Sequence, residues 1–223
     1  MSAPCANGVP WKDWEAWLAG QGVSLSGGQT AQLAQFMDML LDWNTRLNLT
    51  AITQPTDVWQ KHFADSLSLC RFIKPATGPL LDIGTGAGFP GIPLKIACPG
   101  LSVTLMDSLR KRVAFLQHAT DTLGLQGIEC VHAHTTEFAR QHAGQYAYCT
   151  ARAVAKLDKL ATWALPFLRK GGLFLAMKGP DMAEELAAAA PTIQKYGGRH
   201  AATHAVELAP GLVHTVVVIE KIK

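Results

Sequence analysis

A glycine-rich segment between a strand and a helix is the feature that most constrains the fold of this chain. Residues 80–91 have the sequence LLDIGTGAGFPG, and their apolar start predicts a short strand over 80–83. A helix with a proline in its first turn is predicted over 90–98. Glycines permit positive φ and let a ligand approach the backbone closely. A strand, a glycine turn and a helix in this order are typical of doubly wound α/β proteins that bind nucleotides.

Strands and helices alternate along the rest of the chain. Further strands are predicted over 103–107, 128–132, 146–151, 173–178 and 215–220. Further helices are predicted over 109–123, about 156–168 and about 181–190. This alternation predicts a parallel sheet covered by helices on both faces. No helix follows the last strand, which we therefore expect at an edge of the sheet or in an antiparallel hairpin.

The first 60 residues differ in composition from the rest. They hold five of the six tryptophans and a net charge of −3, whereas the remaining 163 residues carry +6. Helices are predicted over 11–18 and 56–73, with a longer one between them. The apolar residues of the longer helix recur at three- and four-residue spacing: Leu33, Phe36, Met37, Leu40, Leu41 and Leu47. We expect a helical N-terminal cap over 1–60 and an α/β domain over 61–223.

Composition excludes several classes of protein. With 223 residues, 48% of them hydrophobic, the chain can bury a large core, which excludes disordered and collagen-like chains. The five cysteines contain no CxxC pair, and no apolar run approaches the roughly 20 residues that span a bilayer. The N-terminus lacks the pattern of a secretory signal. We expect a cytoplasmic, monomeric protein that does not contact membranes; its net charge of +3 neither demands nor excludes an anionic partner.

One alternating set of side chains could be taken for metal ligands. Cys130, His132 and His134 would share one face of a strand. A central parallel strand is buried on both faces, however, and no fourth ligand is evident. We therefore expect no metal site.

The glycine spacing alone leaves the ligand open. Gly84, Gly86 and Gly88 form GxGxG, while Gly86, Gly88 and Gly91 form the GxGxxG of dinucleotide sites. Phe89-Pro90 makes the turn apolar and removes one N–H donor, which suits a phosphate poorly and an adenosine-type ligand better. Asp107 ends the next predicted strand, and a carboxylate there can accept both hydroxyls of a ribose in an NAD or an S-adenosylmethionine site.

These residues, in this order, resemble the class I S-adenosylmethionine-dependent methyltransferases. The chain is more closely similar to the RsmG (GidB) family, which methylates a guanine N7 in bacterial small-subunit ribosomal RNA. The stretches that match are 43–51, 62–67, 82–96, 107–116, 151–155 and 178–179. The resemblance implies a doubly wound, mostly parallel sheet of about seven strands, with an antiparallel C-terminal hairpin and a small helical N-terminal cap.

The resemblance also implies S-adenosylmethionine as cofactor and assigns its contacts. The loop contacts would be Gly84, Gly86, Gly88 and Phe89. Asp107, with Ser108 beside it, would hold the ribose. Thr135 and Thr136 would lie along the adenine, and Arg152 would close the methionine end. The chain departs from the family at Thr135-Thr136, where a small or apolar residue and then an acid are usual, and at Val154, where phenylalanine is usual.

The implied substrate is 16S ribosomal RNA or the small ribosomal subunit. Methylation of guanine N7 needs no general base, because N7 offers a lone pair and has no proton to lose. We therefore expect catalysis by positioning alone and nominate no acid/base pair. The implied RNA contacts are Lys111, Arg112, Lys178, His62 and Asn48, although a run of charges at a helix start is often only a solvated face.

Two polar pairs in the matching stretches have two interpretations each. His62 and Asp65 share a helical face, and either line the mouth of the RNA site or form a local pair. Asn44 and Asn48 either hold a turn or reach the substrate.

Two other function classes explain part of the same evidence. An NAD-linked oxidoreductase would use the Gly86, Gly88 and Gly91 fingerprint together with Asp107. An RNA-binding or ribosome-assembly module would need no working cofactor pocket, yet the glycines, Asp107 and Arg152 are all present. Within the methyltransferases, a protein or a small molecule is the alternative substrate.

Overall fold

The computed structural model of the chain describes residues 11–152 and 155–223. Cys5 and Val154 lie outside this part of the chain. Within the described residues, seven strands form one sheet in the order β3-β2-β1-β4-β5-β7-β6. The strands are β1 (Gly78–Ile83), β2 (Leu101–Asp107), β3 (Ile128–His132), β4 (Tyr146–Arg152), β5 (Leu168–Lys178), β6 (Gly198–Ala209) and β7 (Leu212–Lys221). β1 to β5 pair in parallel, whereas β7 is antiparallel to both β5 and β6. The predicted mostly parallel sheet with a C-terminal antiparallel hairpin is therefore confirmed.

Helices precede the sheet and connect its parallel strands. They are α1 (Trp11–Gly20), α2 (Gly27–Leu47), α3 (Pro55–Val58), α4 (Asp65–Leu67), α5 (Gly91–Ala97), α6 (Arg110–Thr122), α7 (Thr135–His142), α8 (Leu157–Ala164) and α9 (Ala183–Lys195). A π-helical turn, Trp59–Ala64, joins α3 to α4, and a 3₁₀ helix, Ser68–Phe72, follows α4. The predicted helix over 56–73 is thus one helical segment with a wider turn in its middle. The proposed domain boundary after residue 60 falls within that turn.

Some elements of the fold differ from the sequence-based predictions. β6 and α7 were not predicted. The expectation that residues 128–132 form a central strand buried on both faces is wrong, because β3 is an edge strand and is only half-buried. In β3 the Cys130 thiol lies beside Thr120, and His132 Nε2 is 3.1 Å from the Ser108 carbonyl.

The N-terminal helices pack onto the sheet through an aromatic core. The ring of Phe36 in α2 lies 5.2–6.3 Å from those of Phe63, Phe89 and Phe115. Ser26 begins α2 with a capping box, in which it and Gln29 exchange hydrogen bonds. Because Phe89 belongs to the glycine-rich turn, α2 supports that turn directly. Of the helices described, none is long and apolar enough to cross a membrane.

Candidate functional site

The glycine-rich turn lines a cleft at the carboxyl end of the parallel strands. Here β1 lies between β2 and β4, so the connections leave in opposite directions and open a crevice. The crevice has a volume of about 360 Å³ and is called here the glycine-loop cleft. Its lining residues are Leu49, Thr50, His62, Gly84, Thr85, Gly86, Ala87, Phe89, Asp107, Ser108, Arg112 and Arg152. It thus brings together eight of the predicted site residues from four separate parts of the sequence.

The N–H groups of the glycine-rich turn are largely used within the protein. Gly84 and Thr85 both donate to the Met106 carbonyl, and Gly88 and Phe89 both donate to the Thr85 carbonyl. Pro90 has no N–H to offer. A pyrophosphate at this turn would therefore have to displace existing hydrogen bonds, which removes the main attraction of a dinucleotide site.

Two carboxylates hold two further N–H donors of the turn. Gly86 donates to Asp107 Oδ2 at 2.9 Å, and Gly91 donates to Asp82 Oδ2 at 2.8 Å, an oxygen that also accepts from the Thr85 hydroxyl at 2.6 Å. Asp82 is fully buried directly beneath the start of α5. A negative charge at this position opposes a bound phosphate and suits a ligand without phosphates.

Burial raises the pKa of Asp82 to about 6, against an ordinary value of 3.8, although its hydrogen bonds from Thr85 and Gly91 oppose the shift. The native state therefore binds a proton that the unfolded chain releases at lower pH. Stability from this group is present below about pH 4 and is lost as the pH rises to about 6.

Replacing Asp82 by asparagine should remove that pH dependence. Between pH 4 and pH 6 the wild-type free energy of unfolding should fall relative to that of Asp82→Asn by about 2 kcal/mol. Urea unfolding at both pH values measures the difference, with the exposed Asp121→Asn as control. Parallel pH profiles for wild type and Asp82→Asn would contradict the assignment.

Asp107 is the carboxylate that faces the glycine-loop cleft. It is buried at the end of β2, and each of its oxygens accepts one backbone N–H at 2.9 Å, from Gly86 and from Leu109. Arg112 lies 3.5 Å from Oδ2. A carboxylate accepts about four hydrogen bonds, so capacity remains for the two hydroxyls of a ribose.

Phe89 forms the apolar wall of the cleft. His62 stacks on it with ring centroids 4.8 Å apart, and the Arg152 guanidinium lies 5.4 Å from the same ring. Burial, reinforced by the charge of Arg152, lowers the pKa of His62 to about 3, so this imidazole is neutral. Its Nε2 lies 2.8 Å from the Thr50 hydroxyl and its Nδ1 lies 2.9 Å from Arg152. The proposed local pair of His62 and Asp65 is therefore indirect, since each contacts Arg152.

A second cleft adjoins the first and shares His62 and Arg152 with it. This hairpin cleft of about 440 Å³ is lined by Ile52, Lys61, His62, Asp65, Arg152, Met177, Lys178, Gly179 and His214. At its base the buried Asp65 carboxylate lies 3.5 Å from Arg152 and 3.1 Å from His214. Arg152 also donates to the Lys61 carbonyl at 2.7 Å. The Arg152 guanidinium thus links the end of β4 to the helical segment.

The other predicted site residues occupy different surroundings. Thr135 and Thr136 begin α7, and neither lines the glycine-loop cleft. They follow Ala133, whose N–H donates to the Asp107 carbonyl. They therefore lie near the carboxyl end of the strands, as Asp107 does. Asn48 is exposed and ends α2 with φ 48°.

The three predicted RNA-contacting cations also differ from one another. Lys111 is exposed, whereas Arg112 is half-buried against Asp107. Lys178 is mostly buried, 2.6 Å from Glu185, and donates to the Ala155 carbonyl. Lys111 is therefore the most accessible of the three.

The structure adds two residues that sequence reasoning did not assign to the site. Asp82 belongs to a matching stretch, but the sequence alone assigns a role neither to it nor to His214. The alternatives for Asn44 are also resolved, because its side-chain amide exchanges two hydrogen bonds with the Thr50 backbone and holds the turn that delivers Thr50 to the cleft.

Comparison with known families identifies the chain's relatives. The family model described as rRNA small subunit methyltransferase G, GidB, matches residues 29–212. The chain belongs to this family. A curated member from Alkaliphilus metalliredigens is 43% identical over 207 residues, covering 91% of this chain and 86% of the relative. One from Halalkalibacterium halodurans is 45% identical over 186 residues, covering 81% and 77%. Both are named ribosomal RNA small subunit methyltransferase G.

Solved structures are similar to this chain in fold. TYW2 from M. jannaschii, solved in complex with AdoMet, has a TM-score of 0.56 at 17% identity, over 73% of this chain and 74% of that one. A SAM-dependent methyltransferase from Aquifex aeolicus has a TM-score of 0.55 at 17% identity, over 74% and 93%. At this identity the likeness establishes the fold alone, which is that of the class I methyltransferases.

Proposed function

We propose that this chain transfers the methyl group of S-adenosylmethionine to N7 of a guanine in bacterial 16S ribosomal RNA. The observation that carries the proposal is membership of the rRNA small subunit methyltransferase G family over residues 29–212. The glycine-loop cleft agrees with it, because its chemistry suits an adenosyl ligand that has no phosphates.

The residues of the glycine-loop cleft fit S-adenosylmethionine better than NAD. Asp107 has capacity for a ribose, and Phe89 offers an apolar wall. Gly86 and Gly88 adopt φ of 61° and 92°, and a Cβ at Gly88 would lie 2.6 Å from the Ile92 side chain. The buried Asp82 and the internally bonded turn disfavour the pyrophosphate that an NAD-linked oxidoreductase would bind. We assign Gly84, Gly86, Gly88, Phe89, Asp107 and Ser108 to the cofactor, with Arg152 at the junction of the two clefts.

Catalysis requires positioning rather than proton transfer. S-adenosylmethionine supplies an activated methyl group on a positively charged sulfur. The guanine N7 lone pair attacks without losing a proton, and the positive charge moves to the purine. The tasks of this chain are to hold donor and acceptor in line and to exclude water. His62 is suited to an orienting role, because its low pKa keeps it neutral and its two nitrogens are fixed by Thr50 and Arg152.

The start of α6 is the proposed entry surface for RNA. Leu109, Arg110 and Lys111 are exposed immediately after the buried Asp107. Two cations beside the cofactor cleft could neutralise phosphates flanking the target nucleotide. We propose Arg110 and Lys111 as phosphate contacts and Arg112 as a link between the RNA and Asp107.

Removing these charges should weaken RNA binding in a salt-dependent way. Each of Arg110→Gln and Lys111→Gln should reduce the slope of log K against log salt by about 1, because each removes one phosphate contact. Fluorescence anisotropy with 16S RNA between low and moderate salt measures the slope. Lys195→Gln, an exposed change in α9, should leave it unaltered. A double variant with the wild-type slope would remove α6 from the RNA site.

We propose 16S RNA or the small subunit as the partner, the bacterial cytoplasm as the location, and action as a monomer. The target base must be unstacked to reach the cofactor, since a base within a duplex is inaccessible. The mild net charge of +3 supports recognition of a folded RNA or subunit rather than a nonspecific basic surface, so a short unstructured oligonucleotide should be a poor substrate.

Methyl transfer to unmodified RNA tests the proposed function directly. The protein is incubated with methyl-labelled S-adenosylmethionine and small subunits or 16S RNA from cells that lack this family's activity. Digestion and mass analysis should then find the label in 7-methylguanosine. Bound cofactor without transfer to RNA would exclude the proposed substrate and point to a protein or small molecule.

A further inference from the structure

The hairpin cleft has the right position for the target base. It shares His62 and Arg152 with the glycine-loop cleft, so a ligand in one lies beside a ligand in the other. In-line transfer places the acceptor next to the methyl donor. Its volume of about 440 Å³ lies in the range of small-ligand sites, roughly 300–1,000 Å³. This inference rests on the proposed function and concerns how the base is chosen.

Most basic groups of the hairpin cleft already have partners. Lys178 pairs with Glu185 at 2.6 Å, and Lys61 pairs with Asp57 at 3.2 Å. Arg152 contacts the Lys61 carbonyl, His62 and Asp65. His214 is therefore the basic group to consider as a hydrogen-bond donor to a ligand in this cleft.

His214 reaches the cleft from β7 and is held from one side only. Its Nδ1 lies 3.1 Å from the Asp65 carboxylate, which is buried and fixes the ring. Nε2 is on the opposite side of the ring and no hydrogen bond joins it to the described residues. The side chain is 30% exposed and lines the cleft. A ligand in the cleft can therefore reach Nε2.

Guanine and adenine differ at the exocyclic atom on C6, which lies on the same edge of the base as N7. Guanine presents the O6 acceptor there, whereas adenine presents the N6 amino donor. An imidazolium N–H donates to O6 and is repelled by an amino group. We propose that His214, oriented by Asp65, donates from Nε2 to O6 of the target base in the hairpin cleft and so selects guanine over adenine.

The charge of His214 follows from the groups that face it. The hydrogen bond with Asp65 raises its pKa above 6.5, while burial and the Arg152 charge oppose the shift. Three other basic groups line the cleft with His214: Lys61 and the neutral His62 from the helical segment, and Lys178 from β5. On β6, His214 pairs with the uncharged Val206. Nε2 is a donor below the raised pKa and becomes an acceptor above it, because Nδ1 keeps its proton toward Asp65.

Single-turnover methyl transfer to unmodified 16S RNA, measured from pH 6 to pH 9, tests the role of His214. The wild-type rate should fall as the pH rises through the raised pKa. His214→Gln keeps an N–H donor that does not titrate, so its profile should be flat over this range. His214→Phe should lose about 10- to 100-fold at pH 6.5, the effect of one hydrogen bond to a charged group. His200→Gln on the exposed side of β6 should behave as wild type.

Base selection gives a readout that a structural role would not change. RNA carrying adenosine in place of the target guanosine is compared with normal RNA. The guanine-to-adenine rate ratio should fall about tenfold or more in His214→Gln, because an amide oxygen can accept from N6.

The possible results distinguish a failure of the role of His214 from a failure of the proposed function. An unaltered rate and ratio in His214→Phe would overturn the role of His214, as would a wild-type pH profile in His214→Gln. If His214→Phe does not fold, the His214→Gln profile and ratio decide. Wild-type protein that methylates no RNA at any pH would instead overturn the proposed function, and this inference with it.

Discussion

Replacing Asp107 by asparagine is expected to weaken S-adenosylmethionine binding at least about 100-fold. The carboxylate would lose charge-assisted hydrogen bonds to two ribose hydroxyls, each contributing about 1.5–3 kcal/mol. The new amide group would also face a backbone N–H, either that of Gly86 or that of Leu109, where the carboxylate accepted. Titration calorimetry measures the dissociation constant.

The matched control for this change is Asp121→Asn. Asp121 is an exposed carboxylate of α6 that accepts from Gln117 at 2.9 Å, so its neutralisation alters charge equally without touching the cleft. Cofactor affinity should be unchanged in this variant. If Asp107→Asn binds S-adenosylmethionine within about threefold of wild type while remaining folded, Asp107 does not hold the ribose.

The main elements of the fold follow from local sequence patterns. The apolar start of β1 and the glycines after it predict a strand and a tight turn, and the two are adjacent in the chain. Leu33, Phe36, Met37 and Leu40 recur at helical spacing and are all fully buried in α2. Such patterns are local, because the side chains on one face of an element all meet the same core.

Two elements escaped prediction because their own sequences carry weak signals. α7, Thr135–His142, is short and polar and buries only Phe138. β6, Gly198–Ala209, is an edge strand with many small and polar residues, and it is held by its pairing with β7. Both depend on neighbours distant in sequence.

The site was predictable where a motif is continuous and not where it is assembled by the sheet. Gly84, Gly86, Gly88 and Phe89 stand together in sequence, and Asp107 follows at the end of the next strand. Asp65, Arg152 and His214 are separated by 87 and then 62 positions in the chain and meet only because β4, β5 and β7 are neighbours in the sheet. The Lys178–Glu185 pair likewise depends on the packing of α9, which sequence spacing alone does not specify.

Replacing Arg152 by methionine should produce the second large effect, a loss of stability of about 3–5 kcal/mol, because a buried carboxylate is left without its main cation. Among the residues that the structure describes, Asp65 would keep only His214 as a charged partner, and the Lys61 carbonyl would lose its donor. Urea unfolding measures the loss. Methyl transfer should also fail, because His62 loses the contact that fixes Nδ1.

The Arg199–Glu220 pair is the matched control for Arg152, since Arg199 is 64% exposed and the same change there should cost less than about 1 kcal/mol. Adding Asp65→Asn to Arg152→Met removes the unpaired charge, so the double variant should be more stable than Arg152→Met alone. Residues that form one network show such non-additivity, whereas independent sites add. Simple addition of the two losses would mean that Arg152 stabilises the fold by packing over Phe89 and not by compensating Asp65. The same measurement thus separates the charge of Arg152 from its bulk, and it decides whether the two clefts meet at an electrostatic junction or at a packing contact.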